Sequence, residues 1–370
     1  MIIKVKSFDV SLLQMNEQTI SAIDNLMKAF GEKKHIVLAE PAFFEFIIKN
    51  NEIFGINSRA YANAALNQRR ELHALTNIVS FYVEVDFSSV NLTDFQITEA
   101  GPDVLVISYD NFSDSELIQP ASILCEDLND THLYEHLGNF FVQQKRLSSL
   151  NLNFKRVNGG GANTVKVFNE LAKNGSFALC IIDSDKPHPN SARGSTSKKF
   201  GSIDHKNKCR LIILKAHEAE SLIPTNLIDE IILKNSYQDS VIESYDKLKE
   251  LINHNPDIKL YFDHKEGLSF KQIINLDKTY GPFWTPAIQS TNKYAHLSCI
   301  RSNICDDSCQ CIKLEGFGDT LLDKGLTHFN QNKMSSIART TSTQIINEWL
   351  YLGKLFFSWF CSPSPIKVRQ

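Results

Sequence analysis

Short apolar runs alternate with amphipathic segments between residues 122 and 214, and this order constrains the fold more than any other feature of the chain. Four runs have the length of strands and two intervening segments have helical spacing. The order is strand, helix, strand, helix, strand, polar loop, strand, at residues 122–125, 130–144, 153–157, 163–173, 177–182, 186–208 and 209–214. Alternation at this spacing predicts an α/β fold with a parallel sheet flanked by helices.

The flanking regions have other patterns and predict a three-part organisation. Residues 1–118 mix helical and strand-like signals without a catalytic spacing, which predicts an accessory α+β domain. Residues 119–225 form the predicted α/β core. Residues 226–370 are mainly helical, with a cysteine-rich loop, and form the predicted C-terminal region.

Acidic residues follow three of the predicted strands. In an open parallel sheet, ligands gather at the carboxyl ends of the strands, so these side chains are expected to converge. Clustered carboxylates repel one another, and divalent cations with oxygen ligands are their usual counter-charge. The acids are Glu126, Asp130, Asp183, Asp185, Glu218 and Glu220. Helix capping is the alternative role for an acid just after a strand.

A glycine turn and a basic stretch lie beside these acids. The turn Gly159-Gly160-Gly161 precedes a helix and allows either a close approach of phosphate or simply a tight turn. Residues 186–215 carry eight Lys and Arg and a single acid, Asp204, which suits a polyanionic substrate or an ordinary solvated loop. The predicted substrate-binding residues are Gly160, Gly161, Arg193, Lys198, Lys199 and Lys206.

The same residues resemble the TOPRIM fold of topoisomerases, primases and nucleases over roughly 119–225. Glu126-x-x-x-Asp130 follows a strand, a glycine turn comes next, and Ile-Ile-Asp183-Ser184-Asp185 ends a later strand. The stretch from His217 to Leu222 is similar to one in TOPRIM nucleases related to the overcoming-lysogenization-defect proteins and to small bacterial anti-phage effectors. Neither a Walker A motif nor a topoisomerase tyrosine context is present, so the nuclease branch fits best.

The resemblance implies a metal-dependent endonuclease that hydrolyses DNA or RNA and acts as a phage-defence effector. It implies that Glu126, Asp183 and Asp185 are catalytic and hold Mg²⁺ or Mn²⁺, and that Asp130 and Glu220 complete the metal site. Lys215 is expected to stabilise the developing charge. An effector that harms its host also implies a regulatory or sensor partner.

Two other functions are compatible with these residues. A phosphatase or phosphotransferase would use Asp183 as nucleophile and Asp185 as acid, but it would leave Glu126 without a role. A non-catalytic sensor or binding module would tolerate the loss of every one of these acids.

The cysteines and the apolar C-terminal segment give weaker signals. Cys299, Cys305, Cys309 and Cys311 have a spacing that would serve a structural Zn²⁺ site or leave free thiols. Trp349, Leu352, Leu355, Phe356 and Phe360 have helical spacing, which predicts core packing, with docking to a membrane or partner as the alternative.

Composition limits the classes of protein that remain. The balance of 39 basic and 42 acidic residues excludes a uniformly basic nucleic-acid coat. The few cysteines, the absence of a signal-peptide pattern and the lack of a 20-residue apolar run predict a cytoplasmic protein without a membrane span. The oligomeric state is left open, with a homo-oligomer among the alternatives.

Overall fold

A computed structural model describes residues 1–291, 298–302, 304–305 and 313–363. The chain divides into two compact units that cut across the three predicted regions. The first unit, called unit 1, contains Met1–Cys180, Ile203–Ile212 and Leu350–Gln370. The second, unit 2, contains Ile181–Ser202 and Ile213–Trp349.

The strands are short and most of them belong to two five-stranded sheets. They are β1 (Ile2–Val5), β2 (Ile36–Leu38), β3 (Phe81–Asp86), β4 (Thr93–Gln96), β5 (Asp103–Ser108), β6 (Ser122–Cys125), β7 (Leu150–Leu152), β8 (Lys155–Asn158), β9 (Ala178–Ile182), β10 (His205–Lys206), β11 (Cys209–Ile213), β12 (Gly267–Ser269), β13 (Lys313–Glu315) and β14 (Cys361–Pro363).

The helices range from single turns to five turns. They are α1 (Glu17–Gly31), α2 (Pro41–Lys49), α3 (Ile56–His73), α4 (Leu128–Gln144), α5 (Thr164–Lys173), α6 (Ser195–Lys198), α7 (Thr225–Lys234), α8 (Asp239–His254), α9 (Ile258–Tyr261), α10 (Phe270–Tyr280), α11 (Trp284–Ser290), α12 (Ser298–Ser302), α13 (Leu321–Gln331), α14 (Met334–Ile337) and α15 (Thr343–Phe360).

The N-terminal sheet has the order β2-β1-β3-β5-β4 and is dominated by parallel pairs. The pairs β1–β2, β1–β3 and β3–β5 are parallel, and the edge strand β4 is antiparallel. The expected α+β character of residues 1–118 is therefore wrong, because helices α1 to α3 serve as crossovers between parallel strands. Ile2, Ile3 and Val5 of β1 lie in the core of this sheet.

The second sheet has the order β10-β11-β9-β6-β8, which confirms the predicted α/β class. Strand β6 is parallel to both of its neighbours, β8 and β9. Every residue of β6 and β9 is buried, as strands covered by helices on both faces require. The carboxyl ends of β6 and β9 lead to two of the acidic groups that the sequence singles out.

The C-terminal segment completes the core of unit 1. Trp359 stacks on Phe81 with ring centroids 4.0 Å apart, and β14 pairs antiparallel with β7. Leu352, Phe356 and Phe360 are almost fully buried, and Trp349 is fully buried within unit 2. Core packing of the apolar C-terminal residues is thus confirmed.

Unit 2 is mainly helical. Helices α7 to α14 lie in it, and β12 pairs antiparallel with β13. Helix α10 begins with a capping box in which Ser269 and Gln272 each bond the other's backbone N–H. Within the described part of the chain, none of the helices is both long enough and apolar enough to cross a lipid bilayer.

Candidate metal and phosphodiester site

The loop that follows β9 is fastened to the loop that follows β11. Leu214 N donates to Ile182 O at 2.9 Å, which carries the strand pairing one residue past the end of β11. The Ser184 hydroxyl then donates to Ala216 O at 2.6 Å, and Asp185 N donates to His217 O at 2.9 Å. These bonds hold the Asp183-Ser184-Asp185 loop beside the segment that contains Glu218 and Glu220.

Asp185 adopts a backbone conformation that few non-glycine residues adopt. Its φ angle is +51°, in the left-handed region, where an L-residue is strained. Gly194 N donates to Ser184 O at 2.9 Å, which brings the 194 backbone against the loop. A Cβ atom at position 194 would lie 2.0 Å from Asp185 Oδ2, so only glycine fits beside this carboxylate. The local structure therefore fixes the direction of the Asp185 side chain.

Three carboxylates gather around the ammonium group of Lys265. Lys265 Nζ lies 3.2 Å from Glu220 Oε1 and 3.5 Å from Glu218 Oε2, and Asp183 is close enough to interact with it electrostatically. Glu218 and Glu220 are 4% and 2% exposed, which is rare for glutamate unless it is paired. Asp183, Glu218, Glu220 and Lys265 are called the Lys265 cluster below.

The cluster shifts the pKa values of its members in the directions that burial and charge require. Burial and the neighbouring Glu220 raise the pKa of Glu218 to about 8, against the opposing effect of Lys265. Burial also raises the pKa of Glu220. Burial alone would lower the pKa of Lys265, but Glu220, Glu218 and Asp183 raise it overall. Two buried glutamates thus share one lysine, so without a further cation Glu218 keeps its proton at neutral pH.

His217 and Asp263 extend the cluster on one side. His217 Nε2 lies 3.6 Å from Asp263 Oδ2, and ligand atoms of His217, Glu218 and Asp263 lie within 4.8 Å of one another. Burial lowers the pKa of His217, but Asp263 and Glu218 outweigh it and raise the pKa overall. Backbone N–H groups of Lys265 and Glu266 donate to Asp263 Oδ1 at 3.0 and 2.7 Å, which fixes this carboxylate.

These residues fit a hard divalent cation. Within the described residues, Glu220 Oε2 is buried without a hydrogen-bond partner, and an orphaned buried carboxylate oxygen is unfavourable unless a cation or donor meets it. The Lys259 ammonium group is also buried without a hydrogen-bond partner among them, and burial lowers its pKa to about 7. Carboxylate oxygens are ligands that suit Mg²⁺ or Mn²⁺.

Two predicted ligands, Glu126 and Asp130, lie in unit 1 directly after β6. Asp130 Oδ2 accepts a hydrogen bond from Asp127 N at 3.0 Å, as part of the capping box of α4. Asp130 therefore has the helix-capping role that the sequence left as the alternative. Glu126 is half-buried, and together with burial and Cys209 it raises the pKa of the Cys180 thiol.

The glycine turn uses its backbone donors internally. Gly160 N and Gly161 N donate to Glu126 O at 3.1 and 3.3 Å, and Gly160 N also contacts Asn158 Oδ1 at 2.9 Å. Both glycines have positive φ, +65° and +58°. The tight-turn alternative accounts for these residues, and the predicted phosphate contact of Gly160 and Gly161 gains no support from their geometry.

The predicted basic residues belong to both units. Arg193, Lys198 and Lys199 are exposed in unit 2. Lys206 lies in unit 1, where its Nζ donates to Asn169 Oδ1 at 2.8 Å. Lys215 Nζ lies 4.0 Å from Asp257 Oδ1 and its side chain is 55% exposed. The lysine that contacts Glu218 and Glu220 is Lys265.

The predicted zinc ligands are described only in part. Cys299 is buried and Cys305 is partly exposed. Cys309 and Cys311 lie outside the described residues.

Sequence reasoning missed Asp263 and Lys265 as members of the site. They follow no strand of the α/β core but come just after helix α9. That helix is bound to the 217–220 segment, because His217 N donates a hydrogen bond to Leu260 O at 2.6 Å. The segment from Asp263 to Gly267 matches no catalytic motif of the sequence. Its acid–His–Lys–acid composition was the available signal, but nothing in the spacing links it to residues 217–220.

No protein-family model, curated protein or solved structure matches this chain.

Proposed function

We propose that this protein is a Mg²⁺- or Mn²⁺-dependent nuclease that hydrolyses phosphodiester bonds in DNA or RNA. The observation that carries the proposal is the Lys265 cluster, in which buried Glu218 and Glu220 share one ammonium group beside Asp183. Buried carboxylates of this number are unfavourable without further positive charge. A divalent cation is the natural counter-charge, and the TOPRIM-like order of the acids along the chain supports the same reaction.

Glu220, Glu218, Asp183, Asp263 and His217 would hold the cation. When bound, such an ion supplies Lewis acidity toward a phosphoryl oxygen and lowers the pKa of water. Asp185 is fixed by His217 O and Gly194, which orients its carboxylate before any ligand arrives. Lys265 remains available to neutralise negative charge that develops on the phosphoryl group.

Exposed cations of unit 2 supply the attraction for a polyanion. Lys186 and Arg193 lie close enough to repel each other. Burial lowers the pKa of Lys186, and the charge of Arg193 lowers it further. Lys198 and Lys199 lie a few residues later and are exposed. Pooled charge reversal of Lys198 and Lys199 should weaken nucleic-acid binding and flatten its dependence on salt.

The decisive experiment measures cleavage of plasmid DNA, single-stranded DNA and total RNA with Mg²⁺, Mn²⁺ or EDTA. We expect metal-dependent cutting of at least one polymer and a loss of about 100-fold or more in Asp183→Asn and Glu220→Gln. Glu266→Gln is the matched control, because Glu266 is exposed in the same loop as Lys265. Cutting that survives both variants, or no cutting of any polymer, would overturn the proposal.

Two further measurements separate the proposal from its alternatives. Glu126→Gln tests the role that the TOPRIM resemblance gives Glu126: loss of cutting would support that resemblance, and unchanged cutting would contradict it. Hydrolysis of p-nitrophenyl phosphate without cutting of nucleic acid would favour the phosphatase with Asp183 as nucleophile.

A further inference from the structure

The N-terminal sheet contains a topological switch point that the proposed nuclease chemistry does not use. From β1 the chain passes through α1 to β2 on one side, and from β2 it returns through α2 and α3 to β3 on the other side of β1. In open parallel sheets, ligands bind outside the carboxyl ends of the strands where the order reverses. In this sheet that position lies beyond the ends of β1 and β3.

A cavity of about 340 Å³ lies at this position. Its lining comes from the segment after β1, from the segment after β3 and from Tyr109, the first residue after β5. Its volume is within the lower range of small-molecule pockets, which extends over roughly 300–1,000 Å³. The cavity therefore suits one small molecule and is too small for a folded partner.

The wall of the cavity is a run of three stacked aromatic rings. Phe8 and Phe87 have centroids 5.5 Å apart and Phe87 and Tyr109 have centroids 5.2 Å apart, with interplanar angles of 17° and 8°. Leu12 and Val90 also line the cavity and are 77% and 61% exposed, so its rim presents apolar surface to solvent. Flat heteroaromatic rings pair well with such a wall, either offset-stacked or edge-on.

The polar part of the lining selects against a phosphate. Asp9 is the charged side chain among the lining residues, all of which are described, and it is accompanied by Gln14, Thr19, Ser88 and Ser89. Helix α1 begins nearby with Glu17, and Asn16 Oδ1 already accepts from Thr19 N at 2.8 Å. The Asp9 carboxylate repels a phosphate, and although its Oδ1 already accepts from Ser11, its other oxygen can accept from an amino group or a sugar hydroxyl. The hydroxyls of Thr19 and Ser88 already donate to Asn16 and Asp86.

We infer that the cavity at the β1–β3 switch point is a binding site for a neutral nucleoside. Phe8, which is partly exposed at the end of the stack, accommodates the base, with the largely buried Phe87 and Tyr109 behind it. The Asp9 carboxylate bonds the edge of the base or the sugar. The N-terminal region is then a ligand-binding domain in its own right, and this site is independent of the proposed nuclease activity.

Isothermal titration calorimetry on the full chain tests this inference with adenosine, guanosine, cytidine and uridine, each beside its 5′-monophosphate. We expect at least one nucleoside to bind and its monophosphate to bind more weakly. Ser89→Trp should fill the cavity and abolish binding, whereas Ser115→Trp, at an exposed position of unit 1 outside the cavity, should leave it intact. No binding of any nucleoside, or binding that survives Ser89→Trp, would overturn the inference.

A second variant tests the same inference if Ser89→Trp does not fold. Phe8→Leu preserves apolar volume but removes the flat ring, and circular dichroism can check that the sheet is intact. Loss of one base-stacking ring should weaken nucleoside binding by about 5- to 150-fold. Unchanged affinity in a folded Phe8→Leu protein, or tighter binding of the monophosphates, would contradict a stacked neutral nucleoside.

Discussion

At the scale of single residues, close contacts constrain the Asp183-Ser184-Asp185 loop of the site. Asp185 has positive φ, and its carboxylate packs directly on the α-carbon of Gly194. The sequence identified both aspartates but gave no reason to single out Gly194, because a glycine in a polar loop is unremarkable until its neighbour is known.

Replacing Gly194 with alanine should therefore displace Asp185. The new methyl group would lie 2.0 Å from Asp185 Oδ2 and 2.3 Å from Asp185 Cβ, so the loop has to shift. We expect nuclease activity to fall by about 100-fold or more while the protein stays folded, because misplacement of about 1 Å has effects of this order. Gly55→Ala is the control, since a Cβ there meets nothing within 4 Å. Full activity in Gly194→Ala would show that the position of Asp185 is unimportant.

The raised pKa of Glu218 has a definite consequence for stability. Its pKa is about 8 in the folded protein and close to 4.5 when unfolded, so the folded state retains a proton that the unfolded state loses between these values. Ionisation of Glu218 therefore lowers stability progressively from about pH 4.5 to 8, and below pH 4.5 it has no effect.

Glu218→Gln should remove this pH-dependent loss. In metal-free buffer we expect the variant to melt at least about 2 °C above the parent at pH 8.5, and the difference to vanish near pH 4. Thermal denaturation followed by circular dichroism at both pH values measures it, with Glu266→Gln as the exposed control. A difference of the same size at both pH values would mean that folding does not raise the pKa of Glu218.

At the scale of elements, the sequence predicted strands best where each is a compact apolar run between polar boundaries. Residues 122–125 were predicted as a strand, as the structure has them. Strand β1 was missed because Ile2-Ile3-Lys4-Val5 is too short to show a period, and its partner β3 lies about 80 residues away. The parallel character of the N-terminal sheet was missed for the same reason, since pairing direction is invisible in local patterns.

The basic stretch of residues 186–215 shows a second limit of prediction from local sequence. Counting charges treats its eight cations alike, yet Arg210 pairs with Asp103 and Asp204 and packs over Phe95. Lys208 is 6% exposed. Composition cannot separate a cation that serves packing from one that faces solvent, because the difference depends on long-range partners.

The glycine turn after β8 gives a test at this scale. Gly160 has φ of +65° and a Cβ there would meet nothing within 4 Å, so Gly160→Ala introduces backbone strain without a clash. We expect a loss of about 1–2 kcal/mol in the free energy of unfolding, measured by urea denaturation, with the KM for nucleic acid unchanged. A large rise in KM at unchanged stability would restore the predicted phosphate contact.

At the scale of the whole molecule, each compact unit is assembled from separated stretches of the chain. Unit 1 recruits Leu350–Gln370 and unit 2 is interrupted by Ile203–Ile212, so the three consecutive regions read from the sequence do not describe how the core is built. Local composition shows where one region of the sequence gives way to the next. It cannot show that an apolar C-terminal helix packs on a strand from the first third of the chain.

Trp359→Ala should show how strongly unit 1 depends on this late segment. Trp359 is 1% exposed and stacks on Phe81 at 4.0 Å, so its removal leaves a large cavity. We expect a loss of about 3–5 kcal/mol in unfolding free energy. Tyr351→Ala, on the same helix but 54% exposed, is the control. Equal stability of the two variants would contradict a core role for the segment.

Because β14 pairs with β7, the fold of unit 1 is completed late during synthesis of the chain. At about 5–20 residues per second, the ribosome makes residues 350–363 roughly 9–35 s after residue 180. Throughout that interval the edge of β7 and the ring of Phe81 lack their partners, Cys361–Pro363 and Trp359. The nascent chain therefore presents an open strand and an apolar face that chaperones bind, and unit 1 closes only when the last helix emerges.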